Sequence, residues 1–192
     1  MAEKSEFQQK VSEELIDLAK AGDVAAFEHI YESYAGNCYA LAMRLCGNHS
    51  TAQDIVHETF IKVFKNLQSY RGNGVFAAWL KRITTNESIN RIKSMGRIHL
   101  VGEDELIANE SNDLFASNWV DACRDLNKLL GKLSETARAV LILHEVEGYT
   151  HKEIAKLFDK TEGFSKATLS RAYAALKKLA LTEREEKKNA SQ

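Results

Sequence analysis

The sequence predicts an all-α protein built as two small helical domains joined by an acidic linker. Three observations carry that prediction. No proline occurs in the 192 residues, so nothing in the chain removes a helical N–H by that route. Apolar residues recur three and four apart over long stretches, the spacing that puts them on one face of a helix. Capping pairs and glycines stand where those stretches start and stop. The stretches form two blocks, residues 1–96 and 119–192, with residues 97–118 between them.

The first block opens on a helical stretch from about Val11, punctuated by Gly22-Asp23. It resumes with Phe27, Ile30, Tyr34, Cys38, Leu41 and Leu45 on one face, and Gly47-Asn48 closes that helix. Ser50 and Gln53 have the spacing of a capping box, and the helix they open carries Val56, Phe60, Val63, Phe64 and Leu67 as its buried stripe. Its opposite face holds Asp54, His57, Glu58 and Ile61. The polar loop from Ser69 to Gly74 leads into a helix from about Val75 to Lys93. There Phe76, Leu80, Ile83 and Ile92 can face inward, while Trp79, Asn86, Asn90 and Arg91 are left for another task. Phe76 and Trp79, at helical spacing, suit either a core or an exposed stacking surface.

Periodicity fades from Arg97 to Asn118, where Glu103, Asp104, Glu105, Glu110 and Asp113 mark a linker, or short pieces that order against a partner. The second block starts near Trp119 and runs through Leu126, Leu129 and Leu130. Ser134 caps the next helix, Val140, Leu141 and Leu143 give it a core face, and Gly148 ends it. Thr150 and Glu153 then form a capping box flanked by Tyr149 and Ile154 at the staple positions. The helix they start buries Ile154, Ala155, Leu157 and Phe158. Asp159, Gly163 and Ser165 interrupt the pattern before a last helix with Leu169, Ala172, Leu176 and Leu179 inward. The final TEREEKKNASQ is highly charged and expected to fray.

Two helices with a short turn make either an ordinary hairpin at the end of a bundle or a helix-turn-helix whose second member enters a major groove. The second reading leaves Lys166, Thr168, Ser170, Arg171, Tyr173 and Lys177 off the core, for base edges and phosphates. The net charge of −1 suits a free-standing DNA binder poorly, since cations supply most non-specific affinity. Charge is unevenly placed, however. Lys81, Arg82, Arg91, Lys93 and Arg97 cluster mid-chain, and Lys160, Lys166, Arg171, Lys177 and Lys178 cluster near the end. Such a chain binds DNA best when a second protein contributes the rest of the field. Three cysteines, Cys38, Cys46 and Cys123, sit in apolar helical patterns and read as reduced core residues. With neither a secretory h-region nor an apolar run of spanning length, a soluble cytoplasmic protein is expected, with no membrane insertion.

Taken together, the blocks resemble a bacterial sigma factor of the extracytoplasmic-function group of the sigma-70 family, the compact kind with regions two and four alone. Thr51 to Ser94 follows region two and Leu133 to Phe158 follows region four, in the family's order and spacing. The resemblance implies a transcription initiation factor whose partners are core RNA polymerase, through its β′ and β subunits, promoter DNA and an anti-sigma factor. The family's D-x-x-Q-E pattern, which docks on the β′ clamp helices, falls here on Asp54, His57 and Glu58, with Ile61 beside them and histidine in place of glutamine. Without the resemblance this face reads as a solvated one carrying a Glu58–Lys62 pair. Recognition and melting of the minus-ten element are implied for Tyr70, Arg71, Asn73, Phe76, Trp79, Asn86, Asn90, Arg91 and Lys93, which combine stacking rings, amides and cations suited to an unpaired strand. Glu87 stands where the family has an apolar residue.

Minus-thirty-five duplex recognition is implied for Lys166, Thr168, Ser170, Arg171, Tyr173 and Lys177, with His151 and Lys152 near phosphates and with upstream shape as a further signal. The turn from Asp159 to Lys166 reads as about three residues longer than the family's, Thr161, Glu162 and Gly163 being the extra.

Enzyme activity, metal binding and cofactors are not expected. His144-Glu145 opens like a zinc-protease motif, but the second histidine is misplaced for one helical face. No Gly-rich phosphate loop or CxxC pair is present. Two other classes stay open from the residues: a dimeric helix-turn-helix regulator of a symmetric operator, and an adaptor that binds polymerase or an inhibitor without reading DNA.

Overall fold

Side-chain caps and positive-φ residues cut the chain into helices close to where the sequence places them. The structure is a computed structural model that describes residues 7, 11–72, 75–95 and 128–189, with side chains through 182. Helix α1 spans Glu13–Lys20 and starts on Ser12, whose hydroxyl accepts the Leu15 N–H at 3.2 Å. Gly22, at φ +95°, makes the left-handed stop that a Cβ would strain, and Asp23 accepts the Ala26 N–H at 3.0 Å to begin α2, Val24–Cys46. Helix α3 runs His49–Asn66, one residue ahead of the expected Ser50 start, and passes into a 3₁₀ turn at Leu67–Ser69. Helix α4 is Phe76–Ser94. After residue 128 come α5, Glu135–Glu145, capped by Ser134 at the Ala137 N–H (3.3 Å); α6, His151–Phe158; and α7, Glu162–Asn189.

The chain divides into two units, Met1–Met43 with His49–Arg91, and Arg44–Asn48 with Ile92–Gln192. In the first, Ile30, Tyr34, Cys38 and Leu41 of α2 are buried, as are Val56, Phe60 and Val63 of α3, and Phe76, Leu80 and Ile89 of α4. Thr84 and Ser88, also buried, donate back to the carbonyls of Leu80 and Thr84 (3.1 and 2.9 Å), so these hydroxyls need no outside partner. Burial pushes the Cys38 thiol up to about 11, which makes it an inert core residue rather than a nucleophile. In the second unit, α7 packs against both α5 and α6. Residues 97–118, Asn73, Trp119, Cys123 and Leu126 lie outside the described residues.

The structure corrects the sequence reading of the helix-turn-helix at its turn. Asp159 adopts a left-handed conformation (φ 53°), and the Lys160 N–H reaches back to the Ala155 carbonyl at 2.9 Å, closing α6. Thr161 then accepts the Phe164 N–H on its hydroxyl at 3.3 Å, and the next helix has already started. Glu162 and Gly163 are therefore first-turn residues, and the turn is Asp159, Lys160 and Thr161 rather than the stretch to Lys166. Nothing there requires glycine, since a Cβ at position 163 would meet only the Thr161 hydroxyl at 3.6 Å. Beyond Leu181, where the sequence suggests fraying, α7 continues to Asn189.

The Thr150–Glu153 capping box is formed in full: Thr150 N–H donates to the Glu153 carboxylate at 2.8 Å, and Glu153 N–H donates to the Thr150 hydroxyl at 3.3 Å. These bonds from Thr150 hold the Glu153 carboxyl below its usual range. A depressed acid adds stability that is present above the ordinary carboxylate range and disappears as pH falls through the folded value. Thr150→Ala is expected to cost about 1 kcal/mol in urea unfolding at neutral pH. Glu153→Gln, which keeps acceptor and shape but cannot titrate, should remove this acid-range dependence.

Candidate nucleic-acid interface

Three surfaces hold the residues that sequence reasoning singled out. On α3, Asp54, His57 and Glu58 are exposed and Ile61 is partly covered. Asp54 lies 3.5 Å from the Arg91 guanidinium, and both side chains keep roughly half or more of their exposure (62% and 48%), so the pair is well solvated. Lys62 bridges at 2.6 Å to Glu87, whose side chain is largely covered. That pair gives the acid at position 87 a local partner and replaces the Glu58–Lys62 pair the sequence suggested.

Phe64 is the main surprise on this face. The sequence reading put it in the buried stripe of α3, yet it is 67% exposed. Its ring stands edge-on to Phe27 of α2 at 5.2 Å, Phe27 meets Phe60 at 6.5 Å, and the exposed Tyr31 meets Phe60 at 4.7 Å. An aromatic seam between α2 and α3 thus reaches the surface beside the acidic stripe. Positions 63 and 64 both fit a stripe through Phe60, and helix tilt alone decides which goes inward. The exposed Tyr31, likewise, was not among the candidates.

The second surface surrounds the start of the loop before α4. Tyr70 stands T-shaped on Phe76 at 5.2 Å and tilted on Trp79 at 5.3 Å, and Phe76 leans on Tyr34 at 5.8 Å. Lys20, at the end of α1, places its ammonium 5.5 Å from the Tyr70 ring centre, and Gln68 donates its amide N–H to the Lys20 carbonyl. Neither residue was singled out from sequence. Burial raises the Tyr70 hydroxyl above its usual range, with Glu13 adding to the effect. Phe76 is 4% exposed, so it belongs to the core and is corrected from the strand-contacting set. Trp79 keeps an open edge, Arg71 and Asn90 are exposed, and Asn86 and Lys93 are partly covered. Trp79, Asn86, Asn90 and Lys93 recur at helical spacing along one stripe of α4, whereas Arg91 is turned about a third of the way round, toward Asp54.

The third surface is the helix-turn-helix. With α7 starting at Glu162, Phe164, Ser165, Thr168, Leu169 and Ala172 are buried, while Lys166, Ser170, Tyr173 and Lys177 face out and Arg171 is half-buried. Thr168, only 3% exposed, is corrected from the duplex-reading set: it shares the buried stripe with Ser165, Leu169 and Ala172. Lys166 stands 3.9 Å from Glu162, and Arg171 donates from Nε to the Ala167 carbonyl at 3.2 Å. The Tyr173 hydroxyl is raised by donating to the Glu145 carboxylate. Lys152 is exposed, but His151 is half-buried, its ring stacked on His144.

Among the described residues, no three or more histidines, cysteines or acids are grouped to hold a metal ion, and no helix is long and apolar enough to cross a membrane.

Two family descriptions match the chain: Sigma-70 region 2 over residues 30–98 and Sigma-70, region 4 over residues 123–176, together more than half of it. The ECF RNA polymerase sigma factor SigE of Mycolicibacterium smegmatis is 34% identical over 142 residues, covering 69% of this chain and 54% of that protein, so the match spans about half of that relative. The ECF RNA polymerase sigma factor SigW of Bacillus subtilis is 28% identical over 174 residues, 85% of this chain and 93% of that one. The sigma factor RpoE of Bartonella quintana, solved in complex with the anti-sigma factor NepR, shares the fold at a TM-score of 0.52, with 24% identity, covering 82% of this chain and 98% of that one. Two sigma-70 regions matched in this order, with these relatives, settle the family: the chain belongs to the extracytoplasmic-function group of the sigma-70 family and is a transcription initiation factor, a sigma subunit that directs RNA polymerase to promoters.

Proposed function

We propose a division of labour among the three surfaces. Asp54, His57, Glu58 and Ile61, extended by the aromatic seam at Phe64 and Tyr31, dock on the β′ clamp helices. An acidic stripe beside exposed rings suits a partner helix with apolar anchors and a basic flank. Tyr70, Arg71, Trp79, Asn86, Asn90 and Lys93 hold the unpaired minus-ten strand, rings stacking bases and amides reading their edges. Arg91 sits at the junction of this surface with the docking stripe through Asp54. Asn73, though outside the described residues, belongs to the same loop. Lys152, Lys166, Ser170, Arg171, Tyr173 and Lys177 face the minus-thirty-five duplex, where cations set phosphate register and side chains near the start of α7 reach base edges. The organisation is residues 1–96, a linker at 97–118, and residues 119–192. The chain acts in the cytoplasm and makes no bond itself, the chemistry being the polymerase's. An anti-sigma protein is a further partner, by analogy with the Bartonella relative solved with one.

One observation carries most of this reading: α4 sets a half-open indole and two amides in line, on a unit whose neighbouring helix presents acids and exposed rings. Runoff transcription with purified core enzyme over a library of bipartite promoters tests it. Initiation that requires both elements is expected, and Asn90→Ala should lower it about tenfold, within the range for losing one stacked or edge-read base. An operator-binding regulator would instead bind a two-fold symmetric duplex without polymerase and initiate nowhere.

A further inference from the structure

Three helices meet at one polar point in the second unit. The His151 ring, in the first turn of α6, stacks on His144 of α5 with centroids 4.3 Å apart and planes 18° from parallel. Its Nδ1 lies 3.0 Å from the Ser165 hydroxyl of α7, a bond in which either group donates according to the ring's tautomer. Ser165 is fully buried, so that bond sits where water does not replace it. The His144 ring is itself tied, its Nδ1 lying 2.9 Å from the Tyr149 carbonyl just before the Thr150 cap. Ser165 is one residue from Lys166 and five from Ser170, two outward side chains of the duplex-facing helix.

We infer that His151 is a positioning residue for the minus-thirty-five surface: its neutral ring, seated on His144 and bonded to Ser165, fixes how the start of α7 is held against α6. This rests on the minus-thirty-five reading given above and changes one part of it, because a residue expected beside phosphates is engaged inward. The charged groups that act on the ring are Glu145 on α5 and Glu162 and Lys166 on α7. Desolvation, then His144 and Lys166, push the His151 pKa down against the opposing pull of Glu162 and Glu145. A depressed histidine stabilises the folded arrangement above the ordinary histidine range. That contribution falls away as pH drops through the folded value. A protonated ring is then driven out of the stack into solvent and releases Ser165.

The sign of the pH effect separates this role from a phosphate contact. A histidine that touches phosphate binds more tightly when protonated, whereas a positioning histidine loses the surface it holds. The test compares holoenzyme affinity for a fork template carrying both promoter elements with that for one carrying the minus-ten element alone, at pH 8 and pH 6. The advantage from the upstream element should fall by about two- to fourfold on acidification, about fourfold being the most that keeping a histidine of ordinary pKa neutral can cost between pH 8 and pH 6. His151→Ala and Ser165→Ala should lose it at both pH values. His151→Asn, whose amide reaches the Nδ1 position but does not titrate, should restore it and make it pH-independent. Hydrogen exchange over residues 162–168 at a single pH, in the full chain bound to core enzyme, should rise in His151→Ala and Ser165→Ala and return toward wild type in His151→Asn.

An upstream advantage that grows at pH 6, a His151→Asn variant that keeps the wild-type pH profile, or unchanged exchange over residues 162–168 in His151→Ala each overturns the inference. If the wild-type holoenzyme gains nothing from the upstream element at pH 8, the minus-thirty-five reading fails on its own account, and the exchange measurement still decides whether His151 holds α7.

Discussion

Arg138→Ala is expected to destabilise the second unit by about 3–5 kcal/mol, the range for leaving a buried polar network without its partner. Arg138 lies in the middle of α5 and is 1% exposed. Its Nε donates to the Leu130 carbonyl at 2.9 Å, and one terminal nitrogen donates to the carbonyls of Gly131 (3.3 Å) and Leu133 (2.9 Å). These are carbonyls at the end of the short helical segment that leads into α5, where Leu130 also accepts the Leu133 N–H at 3.1 Å, so the guanidinium fork adds a side-chain cap to the segment's own bonds. Desolvation pulls its pKa down while the neighbouring Glu135 opposes that shift. Removing the side chain takes this donor from the Gly131 and Leu133 carbonyls, leaves Leu130 with the Leu133 N–H as its partner, and opens a void in the same place. Since α7 packs on α5, the helix-turn-helix loses its platform as well. Urea unfolding of the full chain, followed by hydrogen exchange over residues 128–145, reads the effect. Arg138→Lys should fall between the two because one ammonium cannot reproduce the planar fork. A loss under about 1 kcal/mol, the worth of one ordinary hydrogen bond, would refute the capping role.

Phe64→Ala should weaken binding to core polymerase by at least about 2 kcal/mol, some thirtyfold, while leaving the fold nearly as stable as before. The ring is 67% exposed, so its removal uncovers little core; what is lost is the edge-on contact with Phe27, worth roughly 0.5–1.5 kcal/mol. An aromatic side chain left in water at that small internal gain makes sense when a partner covers it. Tyr31→Ala should act in the same direction, and Glu58→Lys should slow association through the charged rim. Competition of each variant against labelled wild type for core enzyme gives the affinities. A folded Phe64→Ala that binds within twofold of wild type would remove the seam from the docking surface.

How much of this was legible beforehand depends on whether the governing interaction was local. The Thr150–Glu153 box, the Ser134 cap, the Gly22-Asp23 break and the Gly47 stop join residues a few positions apart, and each was read from spacing alone. The turn between α6 and α7 failed because Gly163 and Ser165 are breakers in a helix interior but acceptable in a first turn, where N–H groups have no intrahelical acceptor. Once Thr161 caps α7, Glu162 and Gly163 become helical, and Thr168 is inside because it lies three residues after buried Ser165 and four before buried Ala172. Phe64 failed for a related reason, since a period of 3.6 admits two adjacent positions to one stripe and packing against α2 chose Val63. Arg138, set in the apolar run Ala137 to Leu143, gave no signal that it serves carbonyls five to eight residues upstream.

The sequence by itself determined the all-α class, because caps and periodicity are written in short-range neighbours, and it carried the resemblance to two sigma regions in order. Tertiary structure alone decided which face of each helix meets solvent: it put Phe76 and Thr168 inside, brought Phe64 out, paired Glu87 with Lys62 and turned His151 toward Ser165. Helical period leaves a rotation about the axis open by tens of degrees, and only packing against a second helix fixes that angle.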